Sequence, residues 1–436
     1  MTVIAKVHAR EVLDSRGRPT VEVEMLDDAG HCASAMVPSG ASTGRFEALE
    51  LRDGDLARYD GAGVLRAVDN VNRVIGPALM GLDPADQFSI DDRLLALDPT
   101  DRKTQLGGNA LLGASLAALR LGAAARHVWL YEHIFATYEP TTAAGSERAA
   151  AQTIDRPRMP LPMINMISGG LHAGGNLDFQ DVLVQPVGAP DLATGLEWTV
   201  RIYRRLGKLL AEAGYEGTLV GDEGGFGPRL KSNREAIEFV VRAIAAAGLR
   251  PGLDVTLALD VAATHFYSDG MYRLRATSGG ALTSDELVDE IERLISEYPI
   301  TSVEDALAEE DWSGWQMLTA RLGNKVQLVG DDLFTTNPAR IRWGIETGAA
   351  NAVLVKVNQI GTVSESLRAL RLAHSAGYRR IVSARSGETE DSTLADLAVG
   401  VGAEQIKIGS IARSERLAKY NRLLKIAERL EGVKTA

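Results

Sequence analysis

The sequence predicts an α/β protein: a closed eight-stranded β/α barrel that opens with an antiparallel hairpin, preceded by a smaller N-terminal domain. Three observations predict it. The chain has 436 residues, more than the roughly 250–300 over which a single core grows, so two domains are expected. Beyond residue 158, six short apolar runs alternate with helical patterns, as in parallel strands joined by crossover helices. Two further extended stretches come just before them, which brings the count to eight and allows closure.

Taken in order, residues 1–138 form the first patterned region. Residues 139–158, EPTTAAGSERAAAQTIDRPR, are the clearest break in composition: rich in Ala, Thr, Ser and Pro, without a periodic apolar face. They read as a linker. One Ala-rich helix through the segment is the competing reading; Pro140 and Pro157 disfavour it and leave room for a short helical piece between them. The barrel is assigned to residues 159–436. PLPMINMI and DFQDVLVQPV are separated by SGGLHAGGN, too short for a parallel crossover, so they pair antiparallel. The six runs that follow are TLALD to Asp260, TSVED to Asp305, QLVGDD to Asp332, AVLVK to Lys356, RIVSARS to Ser386 and QIKIG to Gly409. Helices between them carry their own boundaries. Thr283 and Glu286 make a capping-box pattern ahead of Leu287, Ile291 and Leu294 on one face. Asn337 is a cap, Pro338 sits in the first turn and Gly348 ends the helix.

Composition narrows the function. Apolar residues at 45% and charged residues at 24% are ordinary for a soluble globular chain. A net charge of −11 argues against nucleic acid or an anionic membrane as partner. No run reaches the ~18 apolar residues of a membrane span, and the N-terminus has no signal-peptide core. Cys32 is the single cysteine, which leaves no disulfide framework and no thiolate metal site. A cytoplasmic location is expected.

In such barrels the active site lies at the C-terminal ends of the strands. Here those ends carry Asp260, Glu304, Asp331, Lys356, Arg385 and Lys407. One polar residue at a strand end is usually a cap or a solvated turn. Six in succession, acids first and bases after, would gather carboxylates on one side of the mouth and cations on the other. Asp260, Glu304 and Asp331 offer only hard oxygen ligands, the set that suits Mg²⁺. Structural salt bridges compete with this reading, but the nearby cations are themselves at strand ends, so metal binding is favoured.

With these residues in view, the chain resembles the enolases over nearly its whole length. The matching stretches are VPSGASTGRFEALELRDGD, GDEGGF, LALDVAA, VED, VGDDLF, LVKVNQIGT, RSGETED and RSERLAKYN. The resemblance implies a small α+β N-terminal domain capping a modified TIM-type β/α barrel, in a homodimer or higher homo-oligomer. It implies a small anionic phosphorylated or phosphonate substrate. It also implies Mg²⁺-dependent loss of water from 2-phosphoglycerate, with two ions per site, the second bound with substrate. On this resemblance Lys356 is the base and Glu223 the acid that protonates the departing hydroxyl. Free lysine titrates at about 10.4, and neighbouring Lys407 and the metals would lower Lys356. His172 and Gln180 fall on substrate-contacting positions, Arg385 and Ser386 on the phosphate-binding pair, and Lys407 on a residue facing the substrate carboxylate. Ser42, in a loop that closes over substrate, matches a ligand of the second Mg²⁺.

Two positions depart from the pattern. Asp181 stands where the family places a glutamate, a withdrawal of about 1.5 Å, one C–C bond, that puts its catalytic part in question. Ala384 stands where the family reads Ser-His-Arg-Ser-Gly, removing an imidazole near the leaving group and opening space. Three functions follow: a housekeeping enolase that tolerates the change, a paralogue for a bulkier phosphonate or phosphinate analogue, or a non-catalytic binding protein. Relatives such as carboxyphosphonoenolpyruvate synthase are precedents for the second. The retained Lys356, Glu223, Lys407, Arg385 and three carboxylates argue against the third, and two changes around the leaving group tilt the balance to the second.

Overall fold

Alternation builds the N-terminal sheet. In the central strand β2 (Pro19–Asp27), Val21, Val23 and Met25 are fully buried while Glu22 and Glu24 between them are half-buried. Strands β1 (Ile4–Leu13) and β3 (Cys32–Met36) flank it, both antiparallel. The helix Gly108–Ala125 packs on this sheet; it is long and apolar enough to cross a membrane, yet 83% of it is buried inside the protein, as befits a core helix. The computed structural model describes residues 2–40, 44–138, 156–274 and 280–432. Of the expected linker at 139–158, residues 139–155 lie outside these, as does Ser42.

The barrel closes in the order β10-β11-β12-β13-β14-β4-β5-β6. Its strands are β4 (Leu161–Ser168), β5 (Asp181–Gln185), β6 (Thr256–Asp260), β10 (Ile300–Glu304), β11 (Gln327–Gly330), β12 (Ala352–Val355), β13 (Arg379–Ser383) and β14 (Gln405–Gly409). A small antiparallel ribbon, β7 (Tyr267–Ser268), β8 (Met271–Arg273) and β9 (Ala281–Leu282), follows β6. The opening hairpin is antiparallel as expected, and β5 is antiparallel to β6 as well, so β5 alone runs against the other seven. The helix ends also match the sequence. Thr283 and Glu286 exchange both capping-box bonds ahead of Ser284–Glu297, and Asn337 caps Pro338–Thr347, which Gly348 stops in the left-handed region at φ 72°.

The period of two along each strand decides where the functional residues point. Met163, Leu183, Ala258, Val329, Ala352, Leu354 and Ile381 fill the barrel interior as a separate apolar cluster. Two residues beyond Ala258, Val329 and Leu354 stand Asp260, Asp331 and Lys356, and two before Leu183 on reversed β5 stands Asp181. An apolar plug therefore lies beneath one ring of charged side chains at one end.

The N-terminal domain meets that end through backbone. Ser39 and Gly387 exchange N–H···O bonds of 2.8 and 2.9 Å, and the Ser15 N–H donates to Glu388 O at 2.7 Å. A methyl group at Gly387 would lie 2.6 Å from Ser39 O and against the Arg16 and Asp14 side chains, too close for any of them to stay in place. Gly387→Ala should therefore loosen this seam. Amide hydrogen exchange at residues 14–16 and 39–40 should accelerate about tenfold or more, with the barrel strands unchanged; unaltered exchange there would show that the seam has room to spare.

Candidate active site

Strand register assembles the acids. Asp181, Asp260 and Glu304 are successive Cα partners across β5, β6 and β10, and Ser383 is paired with Lys407 across β13 and β14. Asp331 and Lys356 are the residues just past the ends of β11 and β12. Lys407 Nζ donates to Asp260 Oδ2 at 2.7 Å and to Glu304 Oε2 at 2.8 Å. Lys356 Nζ pairs with Asp331 Oδ2, whose other oxygen accepts from Gln359 Nε2 at 3.0 Å. Gln180 Nε2 donates to Asp260 Oδ2 at 3.0 Å. The three carboxylates are thus split between two ammonium groups, Asp260 and Glu304 on one and Asp331 on the other.

Burial makes these pairings decisive for charge. Burial, with Asp260 beside it, pushes the Glu304 carboxyl up to about 8. Burial works to lower Lys407, yet Asp260 and Glu304 hold it well above the ordinary lysine range. The same balance acts on Lys356, where Lys407 has the lowering effect expected of it. Burial and the cations Arg385 and Lys407 pull it down, but Asp331 prevails, so in the protein alone its pKa is raised rather than lowered. Asp331 is held low against its own burial by Lys356 and Lys407.

The donor set fits Mg²⁺. Glu304 Oε1 is buried with no hydrogen-bond partner, an oxygen directed to a site with nothing of the protein to satisfy it. Asp260, Glu304 and Asp331 bring three hard oxygen donors, and the raised Glu304 marks a place short of positive charge. Asp305, Asp331 and Asp332 form a tighter acidic cluster, but Asp305 is committed. Its two oxygens accept the backbone N–H groups of Asp331 at 3.0 Å and Asp332 at 2.8 Å, which fixes the end of β11.

A second constellation joins His172, Asp181 and Glu223. The shortened Asp181 still reaches: its Oδ2 lies 3.0 Å from His172 Nδ1 and its Oδ1 accepts from Asn165 Nδ2. Glu223 Oε1 lies 4.0 Å from His172 Nε2. Burial would lower His172, but Asp181 and Glu223 raise it to about 9, so the ring is an imidazolium at neutral pH. Glu223 is lowered, its burial outweighed by His172, Arg416 and Lys407, and in the protein alone it is ionised.

On the opposite wall, Arg385 makes a two-pronged pair with Glu47 of the N-terminal domain, at 2.9 and 3.3 Å, and donates to Asn358 Oδ1 at 2.8 Å. Arg416, buried on the helix Ser414–Leu430, donates to Arg385 O at 2.6 Å and Ser386 O at 2.7 Å and so holds the loop after β13. Ser386 Oγ lies 3.3 Å from Arg16 Nη1. Ala384 lines the same cleft as His172, Glu223, Asp260, Lys356 and Lys407.

Of the residues singled out from sequence, the structure brings together His172, Gln180, Asp181, Glu223, Asp260, Glu304, Asp331, Lys356, Arg385, Ser386 and Lys407. Glu47, Asp305, Gln359 and His265 were not singled out. Asp305 follows Glu304 directly, Glu47 lies within GRFEALE and Gln359 within KVNQIG, so proximity to marked motifs was the available signal. His265 had none.

The raised His172 has a pH consequence. Its folded pKa lies above the unfolded value of about 6.5, so the stability it contributes is complete below that value and is lost as pH rises through about 9. In metal-free protein the His172 ring should titrate near 9 by imidazole NMR; a midpoint near 6.5 would mean that Asp181 and Glu223 do not hold it charged.

Comparison with known families agrees with this geometry. The family described as enolase, N-terminal domain, matches residues 4–134, and enolase, C-terminal TIM barrel domain, matches residues 156–435. The two matches span nearly the whole chain and cover both the N-terminal domain that supplies Glu47 and the barrel that supplies the charged ring: the chain belongs to the enolase family, a family of lyases that are generally Mg²⁺-dependent.

Proposed function

We propose that the protein removes water from 2-phosphoglycerate or a close phosphonate or phosphinate analogue to give an enolpyruvate, with the analogue as the preferred substrate. The observation that carries the reaction is the meeting of Lys356, Lys407, Glu223 and three metal-type carboxylates at one barrel end. A protein that only bound a partner would gain nothing from burying so many charges, since each is costly unless paired. What favours the analogue is Ala384, a bare methyl in the cleft wall beside Arg385.

The proton beside a carboxylate is weakly acidic, because its removal adds charge to an anion. Mg²⁺ held by Asp260, Glu304 and Asp331, with a second ion assisted by Ser42, would supply the stabilisation of that charge. Lys356 Nζ takes the C2 proton once its pairing with Asp331 has loosened, so base strength and acid pairing form one equilibrium. Glu223, protonated in the working complex, gives its proton to the C3 hydroxyl, which leaves as water as the C2–C3 double bond forms. His172, fixed by Asp181, stands beside that acid and orients the leaving group. Arg385 and Ser386 hold the phosphorus group, for which a planar guanidinium is suited. Lys407 balances Asp260 and Glu304 and faces the substrate carboxylate.

The second reading, a housekeeping enolase, rests on His172. It places an imidazole beside Glu223 even though Ala384 lacks one. A homodimer and a cytoplasmic location accompany either reading.

Following product absorbance with Mg²⁺ across a panel of 2-phosphoglycerate and phosphonate or phosphinate analogues tests the proposal. Turnover should be fastest with an analogue; rapid turnover of 2-phosphoglycerate alone would assign the housekeeping role. Silence on the whole panel, with Mg²⁺ binding intact, would leave only a binding function. Lys356→Met should lower kcat about 10³-fold, in the range for loss of a general base, and retained turnover would remove Lys356 from that role. Ala384→His should raise turnover of 2-phosphoglycerate relative to the analogue; no change would mean that the methyl at 384 does not set preference.

A further inference from the structure

His265 lies in the turn Ala263–Phe266, directly after β6 and its Asp260. In the closed strand order β6 and β13 are four places apart in either direction, so His265 stands diametrically across the mouth from Ala384 and Arg385. Both sides line one cleft. The side of the mouth that carries His265 is poor in uncommitted donors. His172 is held by Asp181, Gln180 Nε2 by Asp260, and Lys407 by Asp260 and Glu304. The His265 ring, among the described residues, makes no hydrogen bond or ion pair, and it is exposed to the cleft opening. It is thus a donor with nothing of the protein to serve. Ala384 opposite it withdraws the side chain that would have narrowed the path between them.

We propose that His265 is a substrate-binding residue: its imidazole N–H receives a further anionic group on a phosphorus-containing hydroxy acid anchored across the mouth at Arg385, and so selects substrates longer than 2-phosphoglycerate. This rests on the analogue reading above, and it names the chemistry the longer substrate must carry, a carboxylate at the end remote from the phosphorus that Arg385 holds. Arg385 and His265 then act as the two ends of one gauge, with Lys356 and the acids between them. A neutral extension would gain nothing from the imidazole, and a shorter acid would not reach it.

The test uses the Mg²⁺-loaded full chain with 2-phosphoglycerate and with an analogue that carries a further carboxylate at the end remote from its phosphorus. His265→Ala should lower the ratio of kcat/KM, analogue over 2-phosphoglycerate, about tenfold or more, mainly through KM, as expected for one charge-assisted hydrogen bond. His265→Gln, which keeps an N–H donor, should recover most of the ratio. An unchanged ratio in His265→Ala, or an equal fall for both substrates, overturns the assignment while leaving the analogue reading intact. Wild-type protein that turns over 2-phosphoglycerate and no longer analogue overturns both, and wild type alone distinguishes that outcome from the first.

Discussion

Lys407 between Asp260 and Glu304 is the contact on which the rest of the site depends. Register places these two carboxylates on adjacent strands, both almost fully buried, where neither could remain ionised alone. The ammonium at 2.7 and 2.8 Å pairs with both carboxylates, and the raised Glu304 shows how little positive charge is in reserve. Removing one partner of such a buried set typically costs about 3–5 kcal/mol. The ring of charge is therefore a structural constraint as well as a reactive one: it sets which groups can hold protons before any substrate arrives.

That ring was largely legible in the sequence, for a physical reason. A strand alternates its side chains, so an apolar run followed by a charged residue at the right parity announces both the barrel interior and what stands above it. Ala352, Leu354 and Lys356 show this in five residues. Hairpin, caps and strand count were legible too, because each depends on local spacing. What the sequence concealed were the pairings. Glu47 meets Arg385 across 338 positions, and Asp305 turns its side chain back to the backbone of the next strand end. The upward shift of Lys356 in the protein alone was not legible either, since it follows from which neighbour lies nearer: Asp331 touches Lys356, whereas Lys407 is tied up with two other acids.

The two departures from the family pattern have different structural weight. Asp181 keeps its contact with His172 despite the shorter side chain, with Asn165 steadying its other oxygen. The change is absorbed. Ala384 is not compensated in place: its backbone N–H donates to Lys407 O at 2.8 Å and its methyl ends at the cleft wall. The backbone at 384 is thus tied to β14 while its side chain leaves the cleft wall open at that point.

The lone reversed strand has a consequence for connectivity. Since β5 descends where its neighbours ascend, the chain leaves it at the far end, where β6 begins, so the helical passes between them come in even number, and here there are two, Leu192–Glu212 and Asn233–Ala246. An ordinary β/α unit makes one. The extra pass creates an additional reactive-side connection, and it is this connection that carries Glu223. The place of Glu223 is thus a product of counting: a reversed strand requires an even number of helices before the next, and the bend between the two falls at the cleft.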